Sequence, residues 1–170
     1  MSPAPQARHI AILGGSGFVG RALTARLLER GCDVLVVSRD ASTRARLPVH
    51  TKHIAGDVYD RDFLRAALDG MDAGINLVGI LNERGDDGSG FRRVYVELTA
   101  SLIDAMRERG PRRLLQMSAL HAGEGESHYL KARGQTEALV RASGLDWTLF
   151  RPSVTAGPGA FRAVLINGGG

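Results

Sequence analysis

The residues with the clearest chemical consequence are the glycines of the stretch Ile-Ala-Ile-Leu-Gly-Gly-Ser-Gly-Phe-Val-Gly at positions 10 to 20. Gly14, Gly17 and Gly20 follow four apolar residues directly, and from Phe18 onward Val19, Ala22, Leu23 and Leu27 recur at helical spacing. The order is strand, tight turn, helix, and it gives each glycine a task. Gly14 permits the sharp turn off the strand, Gly17 lets backbone approach a pyrophosphate with no Cβ in the way, and Gly20 lets the helix pack closely. The main chain of Ser16, Phe18 and Val19 completes the grip, because the first N–H groups of a helix are unpaired and carry a partial positive charge suited to phosphate. A glycine triplet alone is weak evidence; a strand before it and a helix after it make it a dinucleotide site.

The next candidates close the later strands. Ser38 and Arg39 end an apolar run at Asp33 to Val37, where an NAD-selective site places a carboxylate on the ribose hydroxyls. A hydroxyl and a guanidinium suit a 2′-phosphate instead, so NADP(H) is preferred over NAD(H). Asp40 turned inward would restore NAD(H), and a solvated Arg39-Asp40 pair is the plain alternative. Asn76 and Gly79 flank the end of a fourth strand, where ribose and pyrophosphate can lie against the backbone.

These residues need elements to carry them. Strands are expected at Lys52 to Ala55, Ala73 to Val78, Arg113 to Met117 and Asp146 to Phe150. Helices are expected after Asp60, which can cap one, from Phe91 to Met106 ahead of Gly110-Pro111, and from Tyr129 to Ala142. A short helix should end at Pro48. The segment from Asn82 to Gly90, rich in Gly and Asp, reads as a mobile loop. Alternating strands and helices give an α/β fold, a doubly wound parallel sheet, with the loops after the strands converging on one edge.

The chain has 170 residues, 44% of them hydrophobic, enough for one core and one domain. Its 22 basic and 18 acidic residues leave a formal charge of +4, and the arginines are scattered, so nothing supports a nucleic-acid partner. A single cysteine, Cys32, excludes an intrachain disulfide and suits a reducing compartment. No apolar run reaches the roughly 20 residues of a membrane span, and Met1 to Arg8 lacks the apolar core of a secretory signal. A cytoplasmic protein is expected. His9, His50, His53, His121 and His128 have no metal-ligand spacing and read as solvated surface residues.

Taken together, Gly14 to Gly20, Gly-Asp-Val at 56 to 58, Asn-Leu-Val-Gly at 76 to 79, Met-Ser-Ala at 117 to 119, Tyr129 with its helix, and Arg-Pro-Ser-Val with Gly-Pro-Gly at 151 to 159 resemble the extended and atypical short-chain dehydrogenase/reductase family. The likeness is closest to the group of the nucleotide-binding accessory subunit of respiratory complex I and its bacterial relatives, of the NAD-dependent epimerase/dehydratase type. It implies an NAD(P)-binding Rossmann fold over residues 9 to 159, after a disordered tail at 1 to 8. It also implies that Asp57 and the Val58 amide face the adenine, although Asp57 could instead help cap the next helix, and that Pro152 borders the cofactor. Helices at 91–109 and 127–142 would pair across a homodimer or against a protein partner, with the plain alternative that their apolar stripes are core.

The same resemblance identifies Tyr129, Arg133 and Ser118 as the catalytic positions. Active relatives carry Tyr-x-x-x-Lys, which sets both side chains on one helix face; the lysine lowers the tyrosine pKa for proton transfer. Here Arg133 replaces it, and Lys131 lies about 200° around the helix from Tyr129. Arginine is wider, planar and unable to give up its proton, so the exchange is not conservative. Ser118 is early in its loop to orient a substrate carbonyl. The resemblance thus implies a binding protein that holds NADP(H) structurally or for regulation, with weak or no catalysis, or else an oxidoreductase or nucleotide-sugar epimerase/dehydratase using Tyr129. Residues 160 to 170 depart from the pattern and read as an atypical tail, leaving the family's C-terminal substrate lobe largely missing and a sheet edge exposed.

Overall fold

The apolar runs become strands of one sheet. The computed structural model describes residues 8–152 and 163–168; the expected tail over 1–7, Ser153-Val154 and the Gly-Pro-Gly turn lie outside the described residues. Strands β1 (His9–Leu13), β2 (Asp33–Ser38), β3 (Lys52–Ala55), β4 (Ala73–Asn76), β5 (Arg113–Met117) and β6 (Asp146–Pro152) are all parallel, in the order β3-β2-β1-β4-β5-β6. The reversal of strand order between β1 and β4 is the switch point at which doubly wound sheets bind ligands. A seventh strand, β7 (Ala163–Gly168), pairs antiparallel with β6. Most of the stretch expected as an atypical tail therefore extends the sheet and covers the edge of β6.

Helices cover both faces. On one, α1 (Phe18–Glu29) lays Leu23, Leu27 and Leu28 over Ile10, Ile12, Val34, Val36 and Ile75. On the other, α2 (Arg61–Leu68), α4 (Leu98–Arg109) and α5 (His128–Arg141) bury Leu64, Leu102, Met106 and Val140 against Leu13, Val37, Leu114 and Leu149. Each such side chain contributes roughly 1.5–3 kcal/mol on leaving water. Asp60 caps α2 by accepting from the Asp62 and Phe63 amides. A short 3-10 helix (Ala41–Arg46), capped by Asp40, ends just ahead of Pro48, where the sequence places its end.

Two departures from the sequence reading shape the site. The helix expected from Phe91 starts at Ser89 as α3 (Ser89–Phe91) and passes through a π-helical turn at Arg92–Glu97 before continuing as α4. Such turns widen the helix by one residue, and this one carries Tyr95, 2% exposed. The loop before it is pinned, because the Glu83 carboxylate accepts from the Gly88, Gly90 and Phe91 amides. The expectation of a mobile stretch rested on its composition alone. The strand ends stay in line, with Leu13 opposite Val37 and Asn76, and Asn76 opposite Gln116. The glycine turn, Ser38, Leu77 to Gly79 and Ser118 thereby share one edge.

Candidate functional site

The glycine turn separates what the fold requires from what a ligand requires. Gly14 has φ +77°, and a Cβ there would sit 2.8 Å from the Val78 backbone nitrogen, so only glycine serves. At Gly20 a Cβ would lie 2.5 Å from the Gly15 Cα; the helix packs on the turn itself. Gly17 is different: its φ is −71°, and a Cβ would meet only Gly14 O, at 3.5 Å. The protein leaves that space open above the start of α1, where no side chain caps the helix and no acidic residue stands in the first turn. Bare amides and helix dipole face outward there. This is the cradle that a diphosphate fits.

Two hollows meet over Gly14, Gly17, Leu77 and Gly79. The first runs to Ser38, Arg39, Val58 and Tyr59 and includes Ser16. Ser38 Oγ donates to the Asp40 carbonyl, 2.9 Å away, and lies 2.8 Å from His53 Nε2. The Asp40 carboxylate accepts from the Ser42 amide as the cap of the 3-10 helix, and that backbone bond chiefly holds its pKa below the ordinary value. Asp40 is therefore turned away from the hollow. Asp57 is exposed and accepts from the Tyr59 amide, closing its own turn, while Asp60 alone caps α2.

The second hollow joins the glycine turn to Tyr129, Arg133, Ser118 and Pro152, with Phe18, Val19 and Leu81 at its rim. Tyr129 packs edge-on against Phe91 and Tyr95, both with centroids 5.7 Å away. The Arg133 guanidinium lies 3.8 Å above the Tyr95 ring and 5.4 Å from that of Tyr129. Its Nη1 donates to Met117 O at 2.9 Å, and its Nε, buried, has no partner among the described residues. Tyr95 Oη in turn bridges the N–H and C=O of Ile80. The cation is built into the floor of the hollow by stacking and a carbonyl.

Ser118 is 2% exposed and donates its hydroxyl to Glu137 Oε1 at 2.6 Å. Glu137 also receives Arg151 Nε at 2.8 Å and Nη2 at 2.6 Å. Burial pushes the Glu137 carboxyl up, but the bonds from Arg151 and Ser118 outweigh it and hold the pKa below the usual value.

The sequence-derived residues do not all converge. Gly14, Ser16, Gly17, Phe18, Val19, Gly20, Ser38, Arg39, Val58, Gly79, Ser118, Tyr129, Arg133 and Pro152 line the joined hollows. Asn76 does not reach them. It is 1% exposed, its side-chain N–H groups donating to Gln116 and Thr99 and its oxygen accepting from the Val78 N–H; a polar residue at the end of a fully covered strand must satisfy itself inside. Leu77 and Val78 face the site in its place. Sequence reasoning missed Tyr59, Tyr95, Glu137 and His53, whose roles depend on contacts between elements. His53 in particular is partly buried against Ser38 and is not a solvated surface histidine. Among the described residues no cluster of acids, histidines or cysteine could hold a metal ion.

The family model described as NAD(P)H-binding matches residues 14–167. An uncharacterised protein of Mycobacterium tuberculosis is 28% identical over 149 residues, covering 88% of this chain and 15% of that protein. The dTDP-6-deoxy-L-talose 4-dehydrogenase (NAD(P)(+)) of Kitasatospora kifunensis is 34% identical over 118 residues, covering 66% of this chain and 36% of the enzyme. Among solved structures, the Bordetella bronchiseptica enzyme WbmG in complex with NAD superposes with a TM-score of 0.75 at 21% identity, over 93% of this chain and 59% of that one. The chain thus spans less than two thirds of each of these relatives. With the glycine cradle, the switch point and a family match over most of its length, the chain belongs to the NAD(P)H-binding family and has a Rossmann fold.

Proposed function

We propose that this domain binds NADP(H) along the edge described, and holds it as a structural or regulatory ligand with weak or no turnover. The pyrophosphate lies on the amides at Gly17 to Val19, the adenosine half over Val58 with its 2′-phosphate toward Ser38 and Arg39, and the nicotinamide half in the hollow of Tyr129 and Arg133. Asp40, committed to Ser42, leaves no inward carboxylate to repel a phosphate.

The observation that carries the low-turnover reading is the bond from Ser118 to Glu137. The serine has one hydrogen, and a buried carboxylate takes it. It has none to give a substrate carbonyl. Arg133, tied to Tyr95 and Met117, supplies charge beneath the site but gives up no proton. The likeness to the accessory subunit of complex I belongs here as analogy, resting on motifs alone. Titration with NADPH and NADH, followed by turnover assays with Tyr129→Phe, tests both halves: binding survives the substitution, and no carbonyl or nucleotide-sugar turnover is lost with it.

A second reading, an active oxidoreductase or epimerase/dehydratase, is favoured by Tyr129 and Arg133 sharing a hollow with Gly17. A turnover abolished by Tyr129→Phe would establish it. Cytoplasmic residence fits the single cysteine, and no helix among the described residues is long and apolar enough to cross a membrane. Pairing through α4 and α5 has little support: Lys131, Gln135 and Arg141 dominate the exposed positions of α5.

A further inference from the structure

We infer that His53 is the positioning residue for the 2′-phosphate, donating to the Ser38 oxygen so that the serine hydrogen can turn to that group. This rests on the reading that the edge at Ser38 and Arg39 receives that phosphate. Ser38 Oγ sits 2.9 Å from Asp40 O and 2.8 Å from His53 Nε2. A hydroxyl has one hydrogen and two acceptor sites. With the hydrogen on the Asp40 carbonyl, the bond to His53 requires an N–H on Nε2, donating to the serine oxygen.

That arrangement decides whether Ser38 can serve a phosphate, which accepts hydrogen bonds and donates none when ionised. While His53 supplies the serine oxygen from below, Ser38 can turn its hydrogen from the neutral Asp40 carbonyl to the phosphate and gain a charge-assisted bond. A neutral imidazole carrying its hydrogen on Nδ1 would instead compete for the serine hydrogen. The donating Nε2–H is the arrangement that the observed contacts of Ser38 require.

The surrounding charges favour an anion at Ser38. Arg39 follows β2, Arg44 and Arg46 come from the 3-10 helix, with Arg44 reaching Thr51 O, and Lys52 precedes His53 on β3. Asp40 faces Ser42.

The test is calorimetric titration of the protein, of His53→Leu and of His53→Gln with NADPH and with NADH. In His53→Leu the affinity for NADPH falls about tenfold, the worth of one charge-assisted contact, while unchanged NADH affinity shows that the variant is folded. In His53→Gln, whose side-chain amide can donate to Ser38 in the same place, the affinity for NADPH is recovered. NADPH bound equally by the native protein and His53→Leu, or weakened equally in both variants, overturns the role of His53. NADH binding to the native protein as tightly as NADPH overturns the phosphate reading beneath it.

Discussion

The guanidinium of Arg133 stacks 3.8 Å above the ring of Tyr95, and Tyr95 in turn closes the backbone of Ile80. A cation on the cofactor side of the sheet is thereby coupled, through one aromatic ring, to the loop that leaves β4. The π-helical turn at Arg92–Glu97 carries that ring inward. A residue drawn from α5 and one drawn from the helix before α4 so form a single floor under the second hollow.

Replacing Arg133 tests what that floor is for. Lysine would restore the residue of active relatives but loses the planar stack and the fixed bond to Met117 O. Arg133→Lys is expected to cost about 1–2 kcal/mol in denaturant unfolding. It is also expected to create no turnover, because the Ser118 hydrogen stays on Glu137.

The glycines give opposite outcomes three residues apart. Gly17→Ala fills open space, so its unfolding midpoint should match the native protein while dinucleotide affinity falls at least tenfold, one lost amide contact. Gly20→Ala forces backbone against Gly15 and should cost about 2–3 kcal/mol of stability. Paired denaturation and binding curves for the two variants check both.

Tyr95→Phe removes the hydroxyl that serves both Ile80 backbone groups. Buried groups left unpaired cost about 1–3 kcal/mol. Hydrogen exchange at the Ile80 amide should accelerate more than exchange in β1, placing the loss in the loop after β4.

What the sequence made legible follows from period and punctuation. Apolar runs such as Ile10 to Leu13 and Val34 to Val37 mark covered strands, and the glycine spacing marks the turn, since these are local properties. Asn76 was misplaced because its partners Gln116 and Thr99 lie on other elements. The same holds for Ser118, whose partner Glu137 is 19 residues away, and for His53, whose neighbour is on the adjacent strand. Glu83 fastening the next loop and β7 completing the sheet are likewise products of contact, invisible to composition. Side-chain identity pointed to the sheet edge where the hollows lie; only the fold assigned which polar atoms are already spent.

Glu137 links pH to stability. Its folded pKa is lowered beneath the ordinary 4.5, so the folded state binds fewer protons than the unfolded chain in the interval between the two values. Its contribution is fully present above about pH 4.5 and is lost as pH falls through the lowered folded value. Glu137→Gln leaves Arg151 without its carboxylate and should cost about 3 kcal/mol at pH 7, near 6–12 °C in melting temperature. Melting curves from neutral to acid pH should converge for the two proteins as the native carboxylate protonates.

Direct titration of the purified chain with NADPH, with NADH alongside, bears most closely on the whole reading. One NADPH bound per chain, more tightly than NADH, and lost in Gly17→Ala without loss of fold, is the expected result. Absence of binding by either nucleotide, or binding untouched by the glycine substitution, would mean that the open space above α1 holds no diphosphate.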